Sequence, residues 1–425
     1  MKKILIFTVN GWTSLGGNYT FSSLFENIPD VEIANIYIRD VLPDSNVARR
    51  YFQISERKII KSIFKRKIKT GTEVEQKVNS LPTENVQYWA APKKNKTPFI
   101  GRIIREILWK LGKWNTKELN DFIDSFKPDV IVYAMEGYIH LNRIVRHAIK
   151  RSGARAIGFF WDDNFTYKQY NKLSFKFLRK KQRNDLKKCV KVTDEFWAIS
   201  PKTKDEADAF FNIKCTLLTR PLNKVSPYIK TDPNFPLKIV YTGNLLIGRD
   251  DSLSALISAL RLVNKEKTLF ELDIYSQTIL DEKYLKKNNE PWVKFNGTIS
   301  QDQVNEKQED ADILLLLEDI NGVHKNAARL SFSTKIVDYL TFGKLIFAVA
   351  KRDLASMDYL LAENAAIVAD AKTSIVAELN RIVTQPETIN EVGKNAYNLG
   401  INKHNRQLVN EIIISTISRL IDKER

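Results

Sequence analysis

Tyr241-Thr242-Gly243-Asn244-Leu245 closes a short apolar run, and Arg249 follows just before a stretch of helical period. A glycine at a strand end lets the backbone come close to a ligand. The start of the next helix offers free N–H groups to an anion, and a guanidinium fork suits phosphate. Gly243, Asn244 and Arg249 are therefore candidate phosphate contacts, although an ordinary βα loop with a surface arginine would read the same way. A second group is Leu330-Ser331-Phe332-Ser333-Thr334-Lys335-Ile336-Val337-Asp338-Tyr339-Leu340-Thr341-Phe342-Gly343-Lys344. Ser333 and Thr334 are N-cap types for a helix with Ile336, Val337 and Leu340 on its apolar face. Hydroxyls, free N–H groups and Lys335 then converge on one helix start and make a natural diphosphate site, with Asp338 one turn on as an acceptor for a pair of ribose hydroxyls. Plain capping beside a solvated lysine and aspartate is an equal alternative.

Polar residues just beyond buried strands give a third set. Val130–Ala134 is followed by Met135-Glu136-Gly137-Tyr138-Ile139-His140, and Phe159-Phe160-Trp161 by Asp162-Asp163-Asn164. Open α/β sheets bind ligands at such strand ends. Glu136, His140 and Asp162 are the candidate catalytic groups there, and Asp162 or Asp163 could orient or deprotonate an acceptor hydroxyl. Turn capping by the aspartates and a histidine that touches nothing reactive are the plain alternatives. The four histidines, 140, 147, 324 and 404, are scattered, and Cys189 and Cys215 are the only cysteines. No metal site is expected from such spacing.

These residues need α/β scaffolding to hold them. Strands are expected at 4–9, 31–38, 130–134, 156–161 and 195–199, then at 237–242, 270–275, 293–295, 313–317 and 345–349. Helical stretches lie between them, the pattern of βαβ units. A basic, largely helical insertion spans about 44–128. Pro227, Pro233 and Pro236 mark a linker. The expected architecture is two Rossmann-like parallel-sheet domains, 1–230 and 237–404, facing each other across a cleft. A helix over 405–425 is expected to return to the first domain.

Composition narrows the class. The 425 residues are 43 % hydrophobic and 28 % charged, an ordinary globular balance. Two cysteines exclude a disulfide scaffold and suit a reduced, cytoplasmic protein. The net charge of +17 is one-sided: residues 1–236 hold 43 basic and 24 acidic side chains, residues 237–425 hold 24 and 26. Such a field favours an anionic partner. Apolar runs such as Ile313–Leu317 are far too short to span a bilayer. Three basic amphipathic segments, 57–69, 99–114 and 175–188, suit an anionic membrane surface at the inner face of the cell membrane. Packing of each stripe on the core is the simpler reading for any one of them. No nucleic-acid partner is expected, because no zinc-finger, RRM or KH signature is present.

Taken together, Gly243…Arg249 and Ser333-Thr334-Lys335…Asp338…Gly343-Lys344 resemble the C-terminal domain of GT-B glycosyltransferases. The retaining family four (group 1 type) is the nearest likeness. Trp292…Gly297-Thr298-Ile299-Ser300 is similar to the segment that lines the nucleotide base in that family, which places Thr298 there. Ala311-Asp312 and its leucines resemble the strand before the donor loop. Gly16-Gly17 matches a glycine pair facing the donor phosphates, and Phe196–Ser200 the strand towards the linker. The likeness runs in order through most of residues 1–405.

The resemblance implies a hexosyltransferase that moves sugar from a nucleotide-diphosphate donor, a UDP-sugar first and a GDP-sugar as the open alternative. The implied acceptor is a glycan or lipid-linked sugar in polysaccharide or glycoconjugate assembly. Retention, no separate cofactor and metal independence are implied as well, with Arg249 and Lys335 offsetting the leaving charge. Leu330 stands where the family carries its first glutamate, and Asp338 replaces the second. A non-catalytic nucleotide-sugar-binding homologue or subunit is the alternative that Leu330 raises.

Overall fold

The structure, a computed structural model, describes residues 1–12, 19–76 and 99–422. They form two compact units: unit 1 runs to Arg220 and resumes at Gln407, and unit 2 is Pro221–Arg406. Unit 1 contributes β1 (Lys2–Thr8), α1 (Tyr19–Leu24), β2 (Val31–Tyr37), β3 (Arg50–Ile54), α2 (Glu56–Phe64) and β4 (Gly71–Val74). It continues with α3 (Phe99–Leu111), α4 (Lys117–Phe126), β5 (Val130–Ala134), α5 (Ile139–Ser152), β6 (Arg155–Phe160) and α6 (Leu173–Val190). Finally come β7 (Glu195–Ala198), α7 (Pro201–Phe211) and β8 (Cys215–Leu217). The eight strands lie in the order β4-β3-β2-β1-β5-β6-β7-β8, all parallel except that β4 pairs antiparallel with β3.

Unit 2 begins with β9 (Leu237–Thr242), α8 (Arg249–Val263), β10 (Phe270–Tyr275), α9 (Glu282–Lys287), β11 (Val293–Phe295) and α10 (Gln301–Glu309). β12 (Ile313–Leu317), α11 (Lys325–Ala328), α12 (Thr334–Leu340), β13 (Leu345–Val349), α13 (Ala355–Ala362) and β14 (Ile367–Ala369) follow. α14 (Lys372–Thr384) and α15 (Glu387–Lys403) complete it, before α16 (Arg406–Asp422). Its sheet is wholly parallel, in the order β11-β10-β9-β12-β13-β14. That is the doubly wound Rossmann order, in which the succession of strands reverses between the first and the fourth. β5 and β12 are buried along their whole length, as inner strands covered on both faces must be.

Three details depart from the sequence reading. The segment 44–128 is only partly helical, because Tyr51 and Phe52 bury themselves as part of β3 and β4 pairs along it. β8 and β14, three residues each, extend the two sheets beyond the expected strands. The unit boundary falls at Arg220–Pro221, ahead of the proline-marked linker. The backbone there is already pinned within unit 2: Leu222 N–H donates to His404 O (2.8 Å), and Thr231 N–H to Asn390 Oδ1 (2.9 Å). α16 packs on unit 1, where Ser418 Oγ accepts from Lys2 Nζ (2.5 Å) and Arg419 pairs with Glu195 (3.2 Å).

Candidate functional site

The switch point of unit 2, between β9 and β12, gathers most of the residues expected to hold a donor. β9 ends at Thr242, and Gly243 turns away with φ 138°. A Cβ on Gly243 would lie 2.2 Å from Lys335 Nζ. A side chain there would have to push the lysine tip aside and hold a φ that side chains rarely adopt. Lys335 Nζ donates to Tyr241 Oη (3.1 Å) and sits 4.3 Å from the centre of the Tyr241 ring. The Tyr241 hydroxyl in turn donates to Asn244 O (2.5 Å).

Arg249 is the first residue of α8, preceded by Gly248 in the left-handed region. Its guanidinium spans the switch point. Nε donates to Leu317 O (3.1 Å), Nη1 to Asn244 Oδ1 (2.9 Å), and Nη2 to both Glu318 oxygens (3.1 Å each). Arg249 thus ties the loop after β9 to the end of β12. Burial works against its charge, but the Glu318 carboxylate prevails and holds its pKa above the ordinary value. Among the described residues Lys335 has no such ion-pair partner. Burial, and next the nearby Arg249, lower it from the usual lysine value to about 7. Two neighbouring cations that repel one another are an arrangement that a phosphate oxygen would relieve.

Neighbouring loops frame this corner. Leu245 N–H donates to Thr278 Oγ1 (2.9 Å), and Ser276 N–H to Gly297 O (2.8 Å), which ties together the loops after β9, β10 and β11. Thr298 is half-buried directly after Gly297. Ser333 occupies the N-cap position of α12, but its hydroxyl makes no capping bond, contrary to the cap expected from its type. Thr334 opens the helix, and the Asp338 carboxylate is close enough to Lys335 to raise its pKa. Leu330 is wholly buried.

Unit 1 presents its acidic candidates at the equivalent edge. Glu136 follows β5, next to the switch between β1 and β5, and its Oε1 accepts from Trp161 Nε1 (3.1 Å). Burial, and then the nearby Asp162 carboxylate, raise Glu136 to about 7. Asp163 is fully buried and spent on a turn, accepting from Thr166 N (2.9 Å) and Thr166 Oγ1 (2.5 Å). Asp162 Oδ1 accepts from Asp163 N (2.7 Å). His140 does not join them. It is 1 % exposed, stacked 4.3 Å from Trp109, with Nδ1 2.8 Å from Glu106 Oε1, so its ring is engaged in packing on α3. Gly16 and Gly17 lie outside the described residues.

Sequence reasoning missed Glu318. It follows the Ile313–Leu317 run directly, so the strand-end rule that singled out Glu136 and Asp162 points to it too. Asp319 and Ser252 were missed as well. Asp319 Oδ1 accepts from Asn321 N (2.9 Å), and Ser252 Oγ donates to Glu318 O (2.5 Å), bracing the loop that carries the carboxylate. Among the described residues, no group of three or more His, Cys, Asp or Glu side chains could hold a metal ion.

No protein-family model matches the chain, and no curated protein sequence matches it. Solved structures do. A sucrose-phosphate synthase from Thermosynechococcus elongatus superposes with TM-score 0.62 at 11 % identity, covering 99 % of each chain. Anabaena HepE in complex with UDP-glucose gives 0.59 at 11 % identity, covering 99 % of this chain and 100 % of its own. A Listeria monocytogenes protein provisionally assigned as a UDP-N-acetylglucosamine 2-epimerase gives 0.54 at 10 % identity, covering 100 % and 99 %. These likenesses establish the GT-B architecture of two Rossmann-like domains. A fold does not by itself fix a reaction.

Proposed function

We propose that the protein is a glycosyltransferase that binds a nucleotide-diphosphate sugar, a UDP-sugar first, at the unit 2 switch point. The carrying observation is the pair of cations there: Lys335, which meets no carboxylate in an ion pair among the described residues and is lowered to about 7, beside Arg249. Breaking the bond from the sugar to the diphosphate leaves negative charge on the departing oxygen. Lys335, which takes its proton from solvent when the diphosphate binds, faces that charge as a cation, and Arg249 holds the adjoining loop in place, so the protein's own cations offset it. Gly243, Asn244, Ser333 and Thr334 border the phosphates in this reading, Asp338 receives ribose hydroxyls, and Thr298 lies towards the base. Gly16 and Gly17 are proposed from the family resemblance alone.

The acceptor is a glycan or lipid-linked sugar, consistent with surface polysaccharide or glycoconjugate assembly. Glu136, near neutrality in its pKa, and Asp162 are the groups in unit 1 suited to orient its hydroxyl. Retention and independence from a metal come from the family resemblance, with the leaving phosphate helping to remove the acceptor proton.

A second reading has one observation behind it. Leu330, at the family's first-glutamate position, is sealed in the core and offers the sugar no carboxylate. A non-catalytic nucleotide-sugar-binding homologue fits that. Incubation with UDP-glucose and with UDP-N-acetylglucosamine, with and without EDTA, decides between them. Release of UDP with a new glycoside of unchanged anomeric configuration supports the proposal. A donor changed only at C2 would mean epimerisation, and binding without turnover would favour the non-catalytic reading.

A further inference from the structure

α3 buries one aromatic and leaves an apolar stripe uncovered. On the inner side Trp109 is 0 % exposed and donates through Nε1 to Glu56 Oε2 (2.9 Å), and Arg105 pairs with Glu56 (3.3 Å). Glu106 Oε1 accepts from Ile139 N (3.1 Å) and meets His140 Nδ1. The stripe faces out. Ile100, Ile104, Ile107 and Leu111 fall at i, i+4, i+7 and i+11, so they form one stripe. They are 60, 51, 50 and 52 % exposed. A helix lying on a core in water turns such a stripe inward.

The neighbouring helices extend this face. Phe99 at the head of α3 packs 5.3 Å from Phe175 of α6, whose Leu173 and Phe177 are exposed. A groove of about 340 Å³ runs between the two helices, lined by Ile103, Ile107 and Leu178 and by charged groups of both signs, Lys181, Lys188 and Asp185 among them. At the other end Arg66 donates to Leu111 O (3.4 Å), which brings the close of α2 and its exposed Phe64 alongside.

We propose that this face, α3 flanked by α2 and α6, docks on an anionic lipid bilayer. The isoleucine stripe enters the acyl boundary while the lysines meet headgroup phosphates. Charge selects the occupant. The half of the chain that carries this face holds 43 basic against 24 acidic side chains, which complements anionic lipid. A second copy of the chain, set face to face, would bring like charges together. The inference does not rest on the sugar-transfer reading, since a protein without turnover would bind lipid equally.

The test is cosedimentation of the full chain with phosphatidylcholine vesicles, with and without phosphatidylglycerol, for the wild type and for Ile104→Glu/Ile107→Glu. Both isoleucines are half exposed, so the variant should keep the wild-type melting temperature. Lys181→Glu/Lys188→Glu serves as a second variant that leaves the apolar stripe intact. The expected result is pelleting with the anionic vesicles, weakened about tenfold or more in either variant. Three results would overturn the proposal: wild type left in the supernatant at low salt, both variants pelleting like wild type, or a wild-type dimer that Ile104→Glu/Ile107→Glu dissociates.

Discussion

Arg249 grips both carboxylate oxygens of Glu318 at 3.1 Å, and both side chains are mostly buried. The arginine is therefore a brace before it is a ligand group. Removing it strands a carboxylate in a poorly solvated place. Arg249→Ala should destabilise the protein by up to about 3 kcal/mol, the low end for breaking a buried pair because both partners keep some water. It should also cost transfer about two orders of magnitude. Arg249→Met/Glu318→Leu should recover most of the melting temperature without the activity. Full recovery of both would show that Arg249 only braces.

Lys335 carries a pH signature. With its value at about 7, the free protein has released this proton at alkaline pH, and a bound diphosphate pulls it back. The complex then holds more protons than the free protein above about pH 7, so affinity for UDP declines as pH rises, by at most about tenfold per unit. Calorimetry in buffers of differing ionisation heat would read the proton uptake directly. Lys335→Met should remove the part of the slope that the nucleotide's own titration does not explain. Identical slopes in the two proteins would place the phosphates elsewhere.

Gly243→Ala tests the close approach. The added methyl lies 2.2 Å from Lys335 Nζ, at a φ of 138° that side chains resist. The lysine tip must move off Tyr241, and the backbone strain costs about 1–3 kcal/mol. Loss of UDP affinity should match that of Lys335→Ala, and the double variant should lose little more, as coupled sites do. Additive losses would separate the two residues.

Glu136→Gln should stabilise the protein, but only at higher pH. The folded state holds a proton up to about 7 that the unfolded chain loses near about 4.3. Keeping the native charge therefore costs stability that is fully felt above about pH 7 and vanishes below the unfolded value. The amide oxygen can still accept from Trp161. Melting temperatures of the two proteins should coincide near about pH 4.5 and diverge, glutamine above glutamate, near about pH 8. A constant gap across that range would assign the effect to something other than this proton. Transfer should fall in the same variant if the carboxylate orients the acceptor.

Much of this was legible in the residues. Continuous apolar runs such as Ile313–Leu317 read as inner parallel strands, and their ends located Gly243 and Glu136. Short pieces were not legible: β8 and β14 have three residues each, too few for any period to show. Tyr51 and Phe52 of β3 lie in a basic context that reads as helical. The packing of His140 was not legible either, because its environment, Trp109 stacked on one face and Glu106 on Nδ1, comes from a helix about thirty residues earlier in the chain. α3 gives the clearest reason for the limit. Periodicity says which residues share a side of a helix, not which side faces the protein.

The order in which the two units follow one another along the chain bears on biosynthesis. Pro221–Arg406 emerges from the ribosome as one stretch and has its own sheet and core. Unit 1 appears first yet waits for its last helix, which supplies Ser418 to Lys2 and Arg419 to Glu195 only after unit 2 has been translated. Synthesis order and completion order are therefore reversed. A chain cut short after Arg406 would keep every residue of the proposed donor pocket, while the unit that appeared first would lack its closing helix.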